Sequence, residues 1–299
     1  MTWRVARTGN NLPNGEFSPD VWSTTLQKKW YAGSLLPEIV NHDWETDIRK
    51  AGQTVYIRKR PDAFIQPYAS NQAITWQDVN DEKFSFVVDK SYYAAIKMDT
   101  IDLTSMDINL FNELTDEIAK RHMNVEDQYV MTLPALYAST TVDYLGGTGT
   151  TDVSSSANYD RMLDLLSRTK IALDRKFIPY EGRFFVMSPE VMHVLTRTSG
   201  ARFDVSGVPN EGQRYGYIGD LYGFKLLTST FVAGSGTSGA PWQCFAGTKD
   251  AISFARKVTE TEANVPLQDH FGRGIKSLNV FGSAVTAPDA LVYCKVQTV

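Results

Sequence analysis

Four histidines, two glycine-rich strings and two cysteines are the residues of this sequence whose types suit catalysis, metal binding or redox chemistry. His42, His122, His193 and His270 are scattered, without metal-ligand spacing and without the His-Glu-x-x-His pattern that puts two imidazoles on one helical face. His122 and His193 fall in tracts of helical periodicity, where a satisfied structural imidazole is the ordinary role. Gly146-Gly147-Thr148-Gly149 and Gly234-Ser235-Gly236 have the backbone freedom of phosphate-cradling loops. Neither is followed by the Lys-Ser/Thr pair of a P-loop and neither links a clear strand to a helix, so both are read as flexible loops. No Gly-x-Ser-x-Gly elbow occurs, and nothing marks two carboxylates as an acid–base pair. Cys244 and Cys294 lie in alternating apolar segments and are expected as buried, reduced thiols. The expectation is therefore no enzyme, no cofactor and no metal.

Any function must come from the elements themselves. At 299 residues the chain is at the upper edge of one hydrophobic core, which suggests one elaborate domain or two or three lobes. No apolar run reaches the ~18 residues of a membrane span. The first nine residues carry charge without an apolar stretch, so no signal peptide is expected and synthesis should be cytosolic. The net charge of −4, from 34 acidic and 30 basic residues, argues against a dedicated nucleic-acid binder. It is compatible with a wall that encloses nucleic acid without adhering to it.

A turn-rich strip at 10–15 precedes a helix over 18–32, with Ser18 as N-cap, Pro19 at the first position and Gly33 as the stop. Trp22, Leu26 and Trp30 recur every four residues along one stripe of it. From Gly52 the period switches to two, and 54–58 and 83–89 read as strands. Between them Pro61 and Pro67 disfavour a regular strand, while Phe64, Ile65, Tyr68, Ile74 and Trp76 supply apolar surface. A hairpin over 52–97 would reach ~65 Å at ~3.3 Å per residue, too long a ribbon to be stable alone. Residues 109–133 form the clearest helix, about 37 Å long, with Leu110, Leu114, Ile118, His122, Val125, Tyr129 and Leu133 on one stripe and Pro134 limiting its continuation. A Gly/Ser/Thr-rich loop at 143–158 then leads into an α/β lobe. There a helix over 159–173 is followed by a strand over 183–187, and a second helix is capped by Ser188 with Pro189 at its start. A strand over 224–227 and a flexible stretch over 234–240 precede closing strands at 251–256, 275–285 and 290–296.

This order of parts resembles the Hong-Kong-97-type capsid fold, an α+β fold of tailed-bacteriophage major capsid proteins. The likeness is carried by Leu36-Pro37-Glu38-Ile39-Val40 with Gly52-Gln53-Thr54-Val55-Tyr56-Ile57, by Arg183-Phe184-Phe185-Val186-Met187-Ser188-Pro189, and by Gly219-Asp220-Leu221-Tyr222-Gly223-Phe224. Ala251-Ile252-Ser253-Phe254-Ala255 and Val280-Phe281-Gly282-Ser283-Ala284-Val285 carry it at the end of the chain. The resemblance implies an N-terminal arm at 1–48, an E-loop at 49–100, a peripheral domain at 101–150 whose spine helix occupies 109–137, and an axial domain at 151–250. Returning peripheral strands follow at 251–285 and a last axial strand at 286–299.

It further implies a coat protein that meets itself in hexamers and pentamers of an icosahedral shell around double-stranded DNA, without sequence-specific binding and without a membrane. The arm begins close to Met1, so a scaffolding protein is expected to be a separate chain, beside a portal and a decoration protein. Apolar surface that a monomer leaves unburied would be hidden on neighbouring copies. The candidate contact residues are Trp22, Leu26 and Trp30 on the arm and Phe64, Tyr68 and Trp76 on the ribbon. Flanking charges, Arg58, Lys59, Arg60, Asp78, Asp81 and Glu82, would set register. Two other readings stay open at this point: an encapsulin-like nanocompartment shell with protein cargo, and a loop-rich α/β enzyme with a deep pocket.

Overall fold

The computed structural model describes residues 33–45, 54–58, 65–76, 83–99, 110–155, 158–197, 217–267 and 271–299. Strand β6 (Arg183–Met187) is buried along its whole length, and its apolar run from Phe184 to Met187 is that of a strand covered on both faces. It lies inside a seven-stranded sheet of order β4-β12-β9-β6-β8-β7, with β5 (Thr150–Asp152) also paired to β12. The other members are β4 (Thr140–Thr141), β7 (Tyr217–Leu221), β8 (Phe224–Thr228), β9 (Trp242–Thr248) and β12 (Leu291–Gln297). Two-residue alternation splits β6 between two cores. Phe185 and Met187 pack with helices α3 (Arg161–Asp174) and α4 (Pro189–Arg197). Phe184 and Val186 face the short helix α1 (Leu36–Ile39) and the long helix α2 (Leu110–Tyr137). Met162, Leu165, Leu166, Thr169 and Leu173 give α3 the buried stripe of an amphipathic helix. Ser188 Oγ accepts the Val191 N–H at 3.3 Å, the N-cap expected there. Tyr222 and Gly223 both take positive φ, the geometry of a two-residue hairpin turn between β7 and β8.

A second, three-stranded sheet has the order β10-β11-β3, built from β10 (Ile252–Pro266), β11 (Gly272–Val285) and β3 (Lys90–Asp99). A separate ribbon pairs β1 (Thr54–Arg58) with β2 (Lys83–Val87), antiparallel, from Thr54↔Val87 to Arg58↔Lys83. The ribbon expected through residue 97 thus ends its own pairing at Val87. From Lys90↔Phe281 to Asp99↔Gly272, the chain pairs with β11 instead. Burial of Phe86 and Val88 against Ala255 and Val280 fixes the chain at that changeover.

Three further expectations are corrected. The long helix does not stop at 133, as periodicity and Pro134 suggested, but runs to Tyr137, the end the resemblance implied, because Leu133 and Ala138 pack into the core and Ala138 N–H still reaches the Pro134 carbonyl at 3.0 Å. The Gly146–Gly149 string is not a free loop. Asp143, nearly buried, turns its carboxylate onto the N–H groups of Leu145, Gly147 and Gly149 at 2.9, 2.7 and 3.1 Å. The donors that could have cradled a phosphate are taken by the protein's own anion. Likewise, the 234–240 stretch folds back on Ala240, and Gly236 O accepts the N–H groups of Thr298 and Val299 at 2.8 and 2.9 Å, tying down the C-terminal strand.

Candidate assembly surface

At the tip of the ribbon, residues 65–76 turn at Ser70-Asn71, where Gln72 N–H donates to Ala69 O at 3.0 Å and Asn71 adopts φ +67°. Isolated turns of this kind bury little, and the apolar side chains on this one point outward. Ile65 is 97% exposed, Tyr68 70%, Ile74 68% and Trp76 87%. Single exposed apolar residues are ordinary; four large ones within twelve residues form an apolar patch beyond that scatter. Arg58 sits at the base of this tip, opposite Lys83, whose ammonium lies 4.9 Å from the Tyr56 ring centroid. Of the other residues anticipated for contacts, Trp22, Leu26, Trp30, Lys59, Arg60, Phe64, Asp78, Asp81 and Glu82 lie outside the described residues.

The ribbon is anchored where it meets β11. A Cβ on Gly282 would run into the Val87 carbonyl and lie 2.7 Å from the Val88 Cα, so only glycine admits this crossing. Beneath it, the long helix carries charged groups into the core that periodicity alone did not single out. Glu126 is fully buried. It accepts from Arg256 Nε at 2.8 Å and Asn279 Nδ2 at 2.7 Å, and Arg256 Nη2 closes a two-point pair with it. The signal available in the sequence is its place one turn beyond His122 on the apolar stripe. His122 Nε2 is buried there without a hydrogen-bond partner, and burial lowers the pKa of this imidazole. On the next position, Asp127 accepts from Ser34 Oγ at 2.8 Å and from backbone N–H groups at the start of α1, holding that segment on the long helix. Cys244 and Cys294 are free and buried, directly opposite each other across β9 and β12, and burial pushes the Cys294 thiol up to about 12.

Burial also pushes the Asp127 carboxyl up to about 6, against the hydrogen bonds that favour its ion. A raised carboxyl pKa means the folded chain binds this proton more tightly than the unfolded chain. The stability it confers is therefore present at low pH and lost as pH rises through about 6. Asp127→Asn stays neutral and keeps an acceptor for Ser34. The variant should exceed the wild type by about 1–2 kcal/mol at pH 7.5, with the difference vanishing below pH 4. Urea unfolding of both proteins across that range checks it; a variant weaker than wild type at pH 7.5 would refute this account of the group.

Among the described residues, no group of three or more His, Cys, Asp or Glu is arranged to hold a metal, and no helix is long and apolar enough to cross a membrane. Residues 61–294 match the family model described as phage capsid protein. The fold is similar to a solved structure described as Mycobacterium phage Che8, with a TM-score of 0.74 and 22% identity over 94% of this chain and 97% of that one. It is also similar to the mature capsid of bacteriophage PhiM1 (TM-score 0.69, 14% identity, 95% and 93% covered). A third likeness is to the capsid of an empty GTA particle (TM-score 0.65, 13% identity, 94% and 95% covered). No curated protein sequence matches the chain.

Proposed function

Since the chain belongs to the phage capsid protein family and has the Hong-Kong-97-type fold of a major capsid protein, building the head shell from copies of itself, we propose that the 65–76 tip is the clasp between those copies. The exposure of Ile65, Tyr68, Ile74 and Trp76 carries this reading, because a subunit that left them in water would forgo the burial that assembly offers. The protein is a virion component. Its assembly in the host cytoplasm, its hexamers and pentamers, its enclosure of double-stranded DNA and its work with separate scaffolding, portal and decoration proteins extend the proposal. So does a purely structural, non-enzymatic role. The lobes at 1–48, 49–100, 101–150, 151–250, 251–285 and 286–299 are the corresponding arm, E-loop, peripheral and axial parts. The arm residues Trp22, Leu26 and Trp30 and the flanking Lys59, Arg60, Phe64, Asp78, Asp81 and Glu82 are proposed as further contacts.

Expressed alone or with a scaffolding partner, the protein should form closed particles visible by negative stain and sedimenting far ahead of the subunit. A compact monomer under every assembly condition would end the clasp proposal. Particles filled with cargo protein instead of DNA in the native source would favour the nanocompartment reading.

A further inference from the structure

We propose that a basic cleft at the outer edge of the seven-stranded sheet receives the acidic start of the long helix of a second copy, pairing Arg168 and Arg175 of one subunit with Glu113 and Asp116 of the next. The inference rests on the shell-building reading above and names one contact within it.

The cleft has a volume of about 280 Å³ and lies between α3 and the edge strand β4, lined by Thr140, Leu145, Arg168, Ile171, Arg175 and Lys176. Arg168 and Arg175 are seven residues apart, so they stand on one helical face about 10 Å from each other. Lys176 is already held, by Asp289 at 2.8 Å and by Ser139. The two arginines are exposed and, among the described residues, have neither an ion pair nor a side-chain hydrogen bond. Leu145 and Ile171 are exposed beside them. A cleft with two exposed guanidinium forks and an apolar rim suits carboxylates presented by a protein surface.

The same chain offers such carboxylates far from the cleft. Glu113 and Asp116, exposed in the first turns of α2, also have no ion pair or side-chain hydrogen bond among the described residues, whereas Glu117 nearby is bonded to Arg121 at 3.2 Å. The cleft begins just past the opposite end of that helix, at Thr140. At 1.5 Å per residue, Glu113 and Asp116 are about 36 and 32 Å from Tyr137, beyond the reach of any side chain. The charges can meet only between copies, start of one helix to end of the next. A contact between unlike patches of identical subunits is heterologous, and a rotation that closes repeats it around a ring.

The test is charge reversal and its rescue in the full-length protein. Arg168→Glu with Arg175→Glu, and separately Glu113→Lys with Asp116→Lys, should each lower particle yield about tenfold. All four changes together should restore it to within about twofold. Circular dichroism and melting should show folded subunits throughout. Should a reversal fail to fold, the neutral pairs Arg168→Gln/Arg175→Gln and Glu113→Gln/Asp116→Gln take its place, each lowering yield and making it insensitive to added salt. Reversals or neutral pairs that assemble at wild-type yield overturn the contact, as does a fourfold variant that folds but does not recover. Recovery absent while added nucleic acid or phosphate protects the arginine pair from modification would mean that the cleft holds a free polyanion. Wild-type protein that forms no particles would overturn the shell-building reading and the contact with it, a result distinct from either of these.

Discussion

Alanine at Ile65, Tyr68 and Trp76 together should abolish particle formation and leave a soluble subunit that unfolds cooperatively. The separation of the two effects follows from exposure. Side chains 97%, 70% and 87% exposed contribute little to the subunit's own core, so their loss barely changes its unfolding curve. At the centre of an interface, aromatic anchors cost about 2 kcal/mol or more each when truncated. Every subunit repeats the loss, so the deficit multiplies over a shell. Arg58, exposed at the base of the tip, would be a rim charge of that interface. Its reversal should cost less than about 1 kcal/mol per contact and show mainly as salt-sensitive assembly. Sedimentation of the triple variant beside its urea curve decides the matter. Wild-type shells, or a subunit that no longer folds, would each show that the tip is not the clasp.

Arg256→Ala should be the most damaging single change to the subunit itself, lowering stability by about 3–5 kcal/mol. The carboxylate it leaves behind, Glu126, is 0% exposed and loses both guanidinium donors, with the Asn279 amide still bonded to it. An uncompensated buried charge loses its hydration without return. The reciprocal change, Glu126→Leu, should cost less, about 1–2 kcal/mol, because the Arg256 side chain is 38% exposed and can turn its charge to water. The asymmetry is the informative result, and thermal melts of the two variants measure it. At about 2–4 °C per kcal/mol for a chain of this size, Arg256→Ala should melt roughly 10 °C lower than wild type. Equal losses in the two variants would contradict the account, since they would mean that the pair is worth the same seen from either side. Because this pair seats the long helix on β10 and β11, the Arg256 variant should also assemble poorly, but through loss of folded subunit rather than through a missing contact.

Most of the secondary structure was legible in the order of residues. Alternation marked β1 and β2, β6 was expected as a strand over 183–187, and the Ser188-Pro189 step marked the start of α4. The aromatic content of the proline-punctuated tip pointed to Tyr68 and Trp76, whose side chains are exposed. Partners were harder to read than elements. Residues 84 to 99 keep one alternating pattern, yet the chain leaves β1 for β11 midway, a choice made by the burial of Phe86 and Val88 and by the bare backbone of Gly282. Pro134 marked a helix end by its own chemistry, and the packing of its neighbours outweighed it. The glycine string at 146–149 looked free until Asp143 filled it. The Glu126–Arg256 pair joins residues 130 apart, and nothing local to either announces the other. A sequence determines which face of a helix or strand is apolar, because that periodicity is written in consecutive residues. Which distant strand, carboxylate or subunit meets that face is decided only when folding brings them within reach, because desolvation and close packing act on neighbours in space.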